Sequence, residues 1–147
     1  MYLIINQAIL PHYIALVKKE IITKSRLKGG RNDILKKINQ ILKKNKFTLR
    51  DVKGIIVFSD NLSFTQLRIV VTIANLMGKF LNIPTSFLKE REVKDKKINE
   101  IIKIAQKKLT RKIILPYYDK EPNITLNADK RGLAIGNKIE HPPKSAK

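Results

Sequence analysis

The chain has 147 residues and 43% hydrophobic content, the usual size of one domain and enough for a core, which excludes wholesale disorder. It contains no Cys and two widely separated His, His12 and His141, which excludes a disulfide framework, a thiolate metal site and a His-rich zinc or haem site. Lys and Arg number 31 against 12 Asp and Glu, a net charge of +19, while no apolar run reaches the roughly 18–20 residues of a membrane span.

The charge alone has two readings. A basic balance points to an anionic partner, nucleic acid first. Yet Lys supplies 24 of the cations and Arg 7, and Ile (23) and Asn (11) are also abundant, so AT-rich codon usage accounts for much of the excess. Arg, not Lys, is the usual bidentate reader of bases and phosphates. No basic leader with a small-residue cleavage site precedes the first apolar run, so a cytoplasmic protein is expected.

Tyr2–Asn6 reads as a buried strand, and Pro11 marks the turn after it. Tyr13–Val17 and Glu20–Arg26 follow as two more, giving an antiparallel three-strand meander closed by Gly29-Gly30. Asn32 or Asp33 can cap a helix whose stripe is Ile34, Leu35, Ile38, Ile41 and Leu42, with Lys36, Lys37, Asn39, Gln40, Lys43 and Lys44 opposite. Thr48–Val52 has the pattern of a capped turn. Gly54–Ser59 is a continuous apolar strand, the kind covered on both faces.

After the loop Asp60–Ser63, a second helix is expected over Thr65–Leu81, ended by Pro84. It is apolar around most of its circumference, so two sides need cover. One side can face the sheet. The other meets a partner, or is covered from within by Lys96–Leu109 or the tail. Thr85–Leu88 is a short strand, Lys89–Lys97 a charged connector and Lys96–Leu109 a third helix with Ile98, Ile101, Ile102, Ala105 and Leu109 on one stripe. Lys112–Leu115 reads as a last strand. Residues 1–118 are expected to form one unit and 119–147 a polar tail.

The order βββαβαβα predicts an α/β domain with a mixed sheet. Ribonuclease H folds and single actin-like ATPase subdomains share it, and order does not fix function. A ribonuclease H-type nuclease needs clustered carboxylates for two cations, but the first strand offers Asn6 and the fourth is followed by Asp60 alone. An ATPase half needs a Gly- or hydroxyl-rich phosphate loop, but Asn6–Pro11 has none, and no Walker or G-x-G-x-x-G pattern occurs. Ser63 and Thr65 sit at a helix start, where capping explains hydroxyls. His12 could serve them as a base only if the fold brought it there.

Ser59–Val70, S-D-N-L-S-F-T-Q-L-R-I-V, resembles the G-x-G-P-G-S-F-T-G-[LV]-R-[IV]-G signature of the TsaB family, matching in register at Ser63, Phe64, Thr65, Leu67, Arg68 and Ile69. Leu49–Ile55 is similar to the family's lead into its fourth strand, and Ala74-Asn75-Leu76, Asn82-Ile83-Pro84 and Pro116–Pro122 resemble further family segments. The departures are Asn6-Gln7-Ala8 where the family has D-T-S, and the lost loop glycines. Most of the second actin-like subdomain also has no counterpart.

The resemblance implies a shortened, divergent TsaB-like protein. It implies a non-catalytic, cofactor-free subunit that pairs with a TsaD-type catalytic subunit in N6-threonylcarbamoylation of tRNA adenosine 37. A TsaE-type ATPase would dock on that pair, and the link to tRNA would be indirect. The implied partner surface on the second helix comprises Arg68, Ile69, Ile73, Leu76, Met77 and Phe80, with Ser63, Phe64 and Thr65 forming the helix-start corner. Arg68 would bridge to a partner carboxylate or bond the corner. Self-pairing through the same helix without the partner stays open.

Overall fold

The computed structural model describes residues 1–28, 33–59 and 62–118. Its strands are β1 (Tyr2–Asn6), β2 (Tyr13–Val17), β3 (Ile21–Arg26), β4 (Gly54–Phe58) and β5 (Thr85–Leu88). They form one sheet in the order β3-β2-β1-β4-β5. The meander β1-β2-β3 is antiparallel, whereas β4 joins β1 and β5 joins β4 in parallel. Parallel neighbours need crossovers, which helices supply. The α/β class and the mixed sheet are those expected.

Among the described residues the helices are α1 (Asp33–Lys44), α2 (Phe64–Leu81), the single turn α3 (Glu90–Val93) and α4 (Ile98–Lys108). Strand alternation sorts them into two layers. Leu3, Ile5, Ile14, Leu16, Ile55 and Val57 face α1 and α2, which contribute Ile34, Ile38, Ile41, Leu42, Leu67, Val70, Val71 and Ala74 to one core. Ile4, Ala15, Val17, Ile56, Phe58 and Leu88 face the other way, onto Val93 of α3 and Ile101, Ile102 and Ala105 of α4. Two covered faces are why β1, β2 and β4 read as unbroken apolar runs.

Sharp local signals set the short elements. The Asp51 carboxylate accepts from the Thr48 N–H (2.7 Å) and hydroxyl (2.8 Å), closing the 3-10 turn Leu49–Asp51. Glu92 accepts from the Lys89 N–H at 2.9 Å and Glu100 from the Lys97 N–H at 3.3 Å, so α3 and α4 open on the same N3 carboxylate device.

Four expectations change. The connector Lys89–Lys97 contains α3, nucleated by that carboxylate and by burial of Val93. Leu35 is left 56% exposed, because Ile34, Ile38, Ile41 and Leu42 already fill the helix stripe. Leu109 is the residue after α4 rather than part of its stripe. Lys112–Leu115 is not a sheet strand. The chain touches β5 once, through the antiparallel bridge Thr85–Thr110, and then leaves the sheet. Ile113 and Leu115 are 72% and 77% exposed while Ile114 between them is buried. The Gly29-Gly30 turn, Asn32, the Asp60 loop and the expected tail at 119–147 lie outside the described residues.

Candidate functional site: the outer surface of α2

Ser63 caps α2. Its hydroxyl accepts from the Gln66 N–H at 3.3 Å and donates to the Gln66 side-chain carbonyl at 3.1 Å. The cap is therefore Ser63's, while Thr65 stands exposed one turn position inside. At the far end Asn82 adopts a left-handed conformation (φ 50°, ψ 41°), and the Ile83 N–H bonds Gly78 O at 2.9 Å. Asn is one of the few residues that takes this helix-ending geometry readily.

The sheet-facing side of α2 buries Leu67, Val70, Val71, Ala74 and Gly78. Helix α4 packs on the opposite face of the sheet, so it does not cover α2. The segment after α4 does cover one flank. Arg111 donates to the Asn82 side-chain oxygen at 3.2 Å, Asn75 brackets Ile114, and the Tyr118 ring stacks on Phe64 at 4.4 Å and 20°. These contacts run antiparallel to the helix. Seven extended residues reach roughly 23 Å and eighteen helical residues about 27 Å, so an extended strap matches the length of α2. The Arg68 guanidinium lies over the Phe64 ring at 5.4 Å, on this strapped flank.

The described residues leave the remaining flank partly open. Ile69, Ile73, Leu76 and Phe80 recur at i, i+4, i+7 and i+11, one stripe of a helix. Leu76 is 51% and Phe80 86% exposed, with Ile69 and Ile73 half-buried at the stripe's inner edge. Met77 is half-buried too, and both it and Ile73 pack against the core. The six implied interface residues thus divide three ways. Leu76 and Phe80 stand exposed, Ile69, Ile73 and Met77 are half-buried, and Arg68 is exposed over the Phe64 ring on the strapped flank.

Two cavities flank the helix. One of about 660 Å³ lies between the end of α2 and the strap, with Leu76, Gly78 and Ile113 in its wall. Another of about 380 Å³ lies between α1 and the start of α2, and His12, Ser63 and Thr65 are among its lining residues, with Gln7, Ile34 and Ile69. Among the described residues no carboxylate lines it, and no cluster of His, Asp or Glu is placed to hold a metal ion.

Asn6 shows what replaces the chemistry expected of an actin-like or nuclease site. It is 1% exposed. Its amide donates to Ile9 O at 2.7 Å, and its oxygen accepts from the Ala8 and Ile9 N–H groups at 3.2 and 3.1 Å. Every polar atom of the side chain is committed to the loop after β1. This role escapes a reading by motif, but the Asx-turn tendency of Asn at a strand end was its signal.

No protein-family model matches the chain, and no curated protein matches its sequence. Solved structures do. YeaZ from Pseudomonas aeruginosa superposes with a TM-score of 0.52 at 14% identity, over 64% of this chain and 48% of that one. The fold is YeaZ-like. An uncharacterized protein with similarity to peptidase YeaZ from Pseudomonas aeruginosa gives the same TM-score and identity over 65% of this chain and 48% of its own. The chain spans about half the length of these YeaZ structures. No helix of the described residues is long and apolar enough to cross a membrane.

Proposed function

We propose that this YeaZ-like chain is a non-catalytic scaffold subunit in tRNA N6-threonylcarbamoyladenosine synthesis, docking through the open stripe of α2 onto a TsaD-type catalytic subunit. One observation carries the reading: Leu76 and Phe80 stand exposed on one apolar helix stripe, continued by the half-buried Ile69 and Ile73, that the described part of the chain leaves partly uncovered. Contiguous exposed apolar surface of this kind marks interaction sites. The S-F-T-x-L-R-I sequence at the start of the same helix supports the assignment, and so does the YeaZ-like fold, YeaZ being the TsaB protein.

The non-catalytic role rests on Asn6, whose side chain closes a loop rather than presenting a carboxylate. In this reading the protein works in the cytoplasm, and a TsaE-type ATPase joins the docked pair. The link to chemistry on tRNA runs through the catalytic partner.

The test is co-purification with a TsaD homologue from the same organism. A complex at micromolar concentration is expected, weakened at least tenfold by Leu76→Asp or Phe80→Asp. Two folded proteins that do not associate would overturn the proposal, and so would a complex indifferent to both substitutions.

A further inference from the structure

The net charge is unevenly placed. Residues 18–53, about a quarter of the chain, contain 13 Lys and Arg against 3 acids, so +10 of the +19 falls there. Codon bias acts on the whole chain and does not concentrate charge. Helix α1 lies at the centre of this region and carries a single acid, Asp33, at its first residue. Its apolar stripe is spent on the core through Ile34, Ile38, Ile41 and Leu42. Lys36, Lys43 and Lys44 therefore stand exposed on the outward side with Lys37 half-buried at its edge, the four separated along the axis by up to about 12 Å. The nearby Asp51 carboxylate is already engaged by Thr48.

We infer that the outward face of α1 binds the phosphate backbone of a folded RNA directly. A lysine is a mobile point charge, suited to sequence-blind backbone contact rather than base reading. A membrane surface fits less well, because an interfacial helix needs a free apolar face to insert, and the apolar face of α1 is buried. The location is also apt. Ile34 of α1 and Ile69 of α2 line the same cavity, so the two helices are neighbours on one face of the sheet. The choice of RNA over DNA rests on the proposed role in tRNA modification, and RNA held by α1 would lie beside whatever docks on α2.

Bulk tRNA is the probe, titrated against the full chain by fluorescence anisotropy at several salt concentrations. A variant carrying Lys36→Gln, Lys37→Gln, Lys43→Gln and Lys44→Gln is compared with a charge-matched control on the opposite layer, Lys94→Gln, Lys96→Gln, Lys103→Gln and Lys107→Gln. Gln keeps helix propensity close to that of Lys, and thermal melts verify that both variants fold.

The α1 variant should lose at least 30-fold in affinity and the control less than threefold. Four phosphate contacts correspond to a log–log salt slope of about −3, which the α1 variant alone should flatten. Equal losses in both variants would overturn the inference. So would absence of binding by the parent chain at 150 mM salt, or preference for phosphatidylserine vesicles over tRNA. Leu76→Asp and Phe80→Asp should leave tRNA binding unchanged. Loss of the protein complex with tRNA binding intact would refute the docking proposal alone. The converse result would refute only this one.

Discussion

The side-chain amide of Asn75 holds the backbone of Ile114 at both of its polar groups, donating to its carbonyl at 2.8 Å and accepting from its N–H at 2.9 Å. An amide presents the same donor–acceptor pair as a peptide unit, so Asn75 lets the outer side of a helix pair with an extended segment as though it were a strand edge. Burial of Ile114 into the core beneath completes the attachment. Asn75→Ala removes both bonds and leaves two backbone groups to find other partners, a cost of about 1–3 kcal/mol. The expected result is a lower urea midpoint, with cleavage after Lys112 by trypsin appearing before global unfolding. If cleavage there stays at the parent rate, the strap is held by Ile114 and the Tyr118–Phe64 stack instead.

Gly78 marks a close approach of α2 to β5. A Cβ at this position would come within 2.6 Å of Thr85 Cγ2 and 3.2 Å of Ile83 O. Alanine favours helix by about 1 kcal/mol over glycine, yet the forced shift of packed atoms costs about 1–3 kcal/mol. Gly78→Ala should therefore destabilise. Thr85→Ser removes the clashing methyl, so adding Gly78→Ala to that background should cost at least about 1 kcal/mol less. Denaturant unfolding of the four proteins of this cycle measures the coupling, and additive effects would place the strain at Ile83 O.

The strand readings over 2–6, 13–17 and 85–88 coincide with β1, β2 and β5, and β4 differs by one residue, because runs such as Tyr-Leu-Ile-Ile suit only a covered strand. The sequence-readable caps also agree, since Thr48 to Asp51 and Ser63 to Gln66 are contacts across three residues. The same rule was available at Lys89 to Glu92, where the density of charge obscured it. What could not be read was the fate of Ile113-Ile114-Leu115. Its pattern gives an extended chain, and it is one, but its hydrogen-bond partner is a side chain 39 residues away. The all-round apolarity of α2 was likewise legible, but not its division between strap and open stripe, nor the packing of Met77 against the core.

That division makes Phe80 and Met77 unequal probes. Phe80 points into solvent, so Phe80→Asp should change monomer stability by less than about 0.5 kcal/mol. Met77 packs against the core, and Met77→Asp would bury a carboxylate partly against apolar neighbours, with an expected loss of about 2–3 kcal/mol. Urea midpoints of the isolated proteins decide this. A loss at Phe80 as large as at Met77 would mean that the outer stripe also supports the fold, and Phe80→Asp could then no longer report on docking alone.

Two carboxylates tie local structure to pH. Hydrogen bonds from the Thr48 N–H and hydroxyl hold the Asp51 pKa below its ordinary value. Burial works against the Glu92 carboxylate, but bonds from the Lys108 ammonium and the Lys89 N–H outweigh it and bring its pKa down as well. A carboxyl group whose pKa is lower in the folded than in the unfolded chain adds stability above the unfolded value, and that stability is lost as pH falls through the folded value. The urea midpoint should therefore hold through the neutral range and fall below about pH 4. In the double variant Asp51→Asn, Glu92→Gln the neutral midpoint should be lower and the acid fall shallower. Retention of the parent's full acid fall would show that carboxyl groups outside these two caps carry the pH dependence.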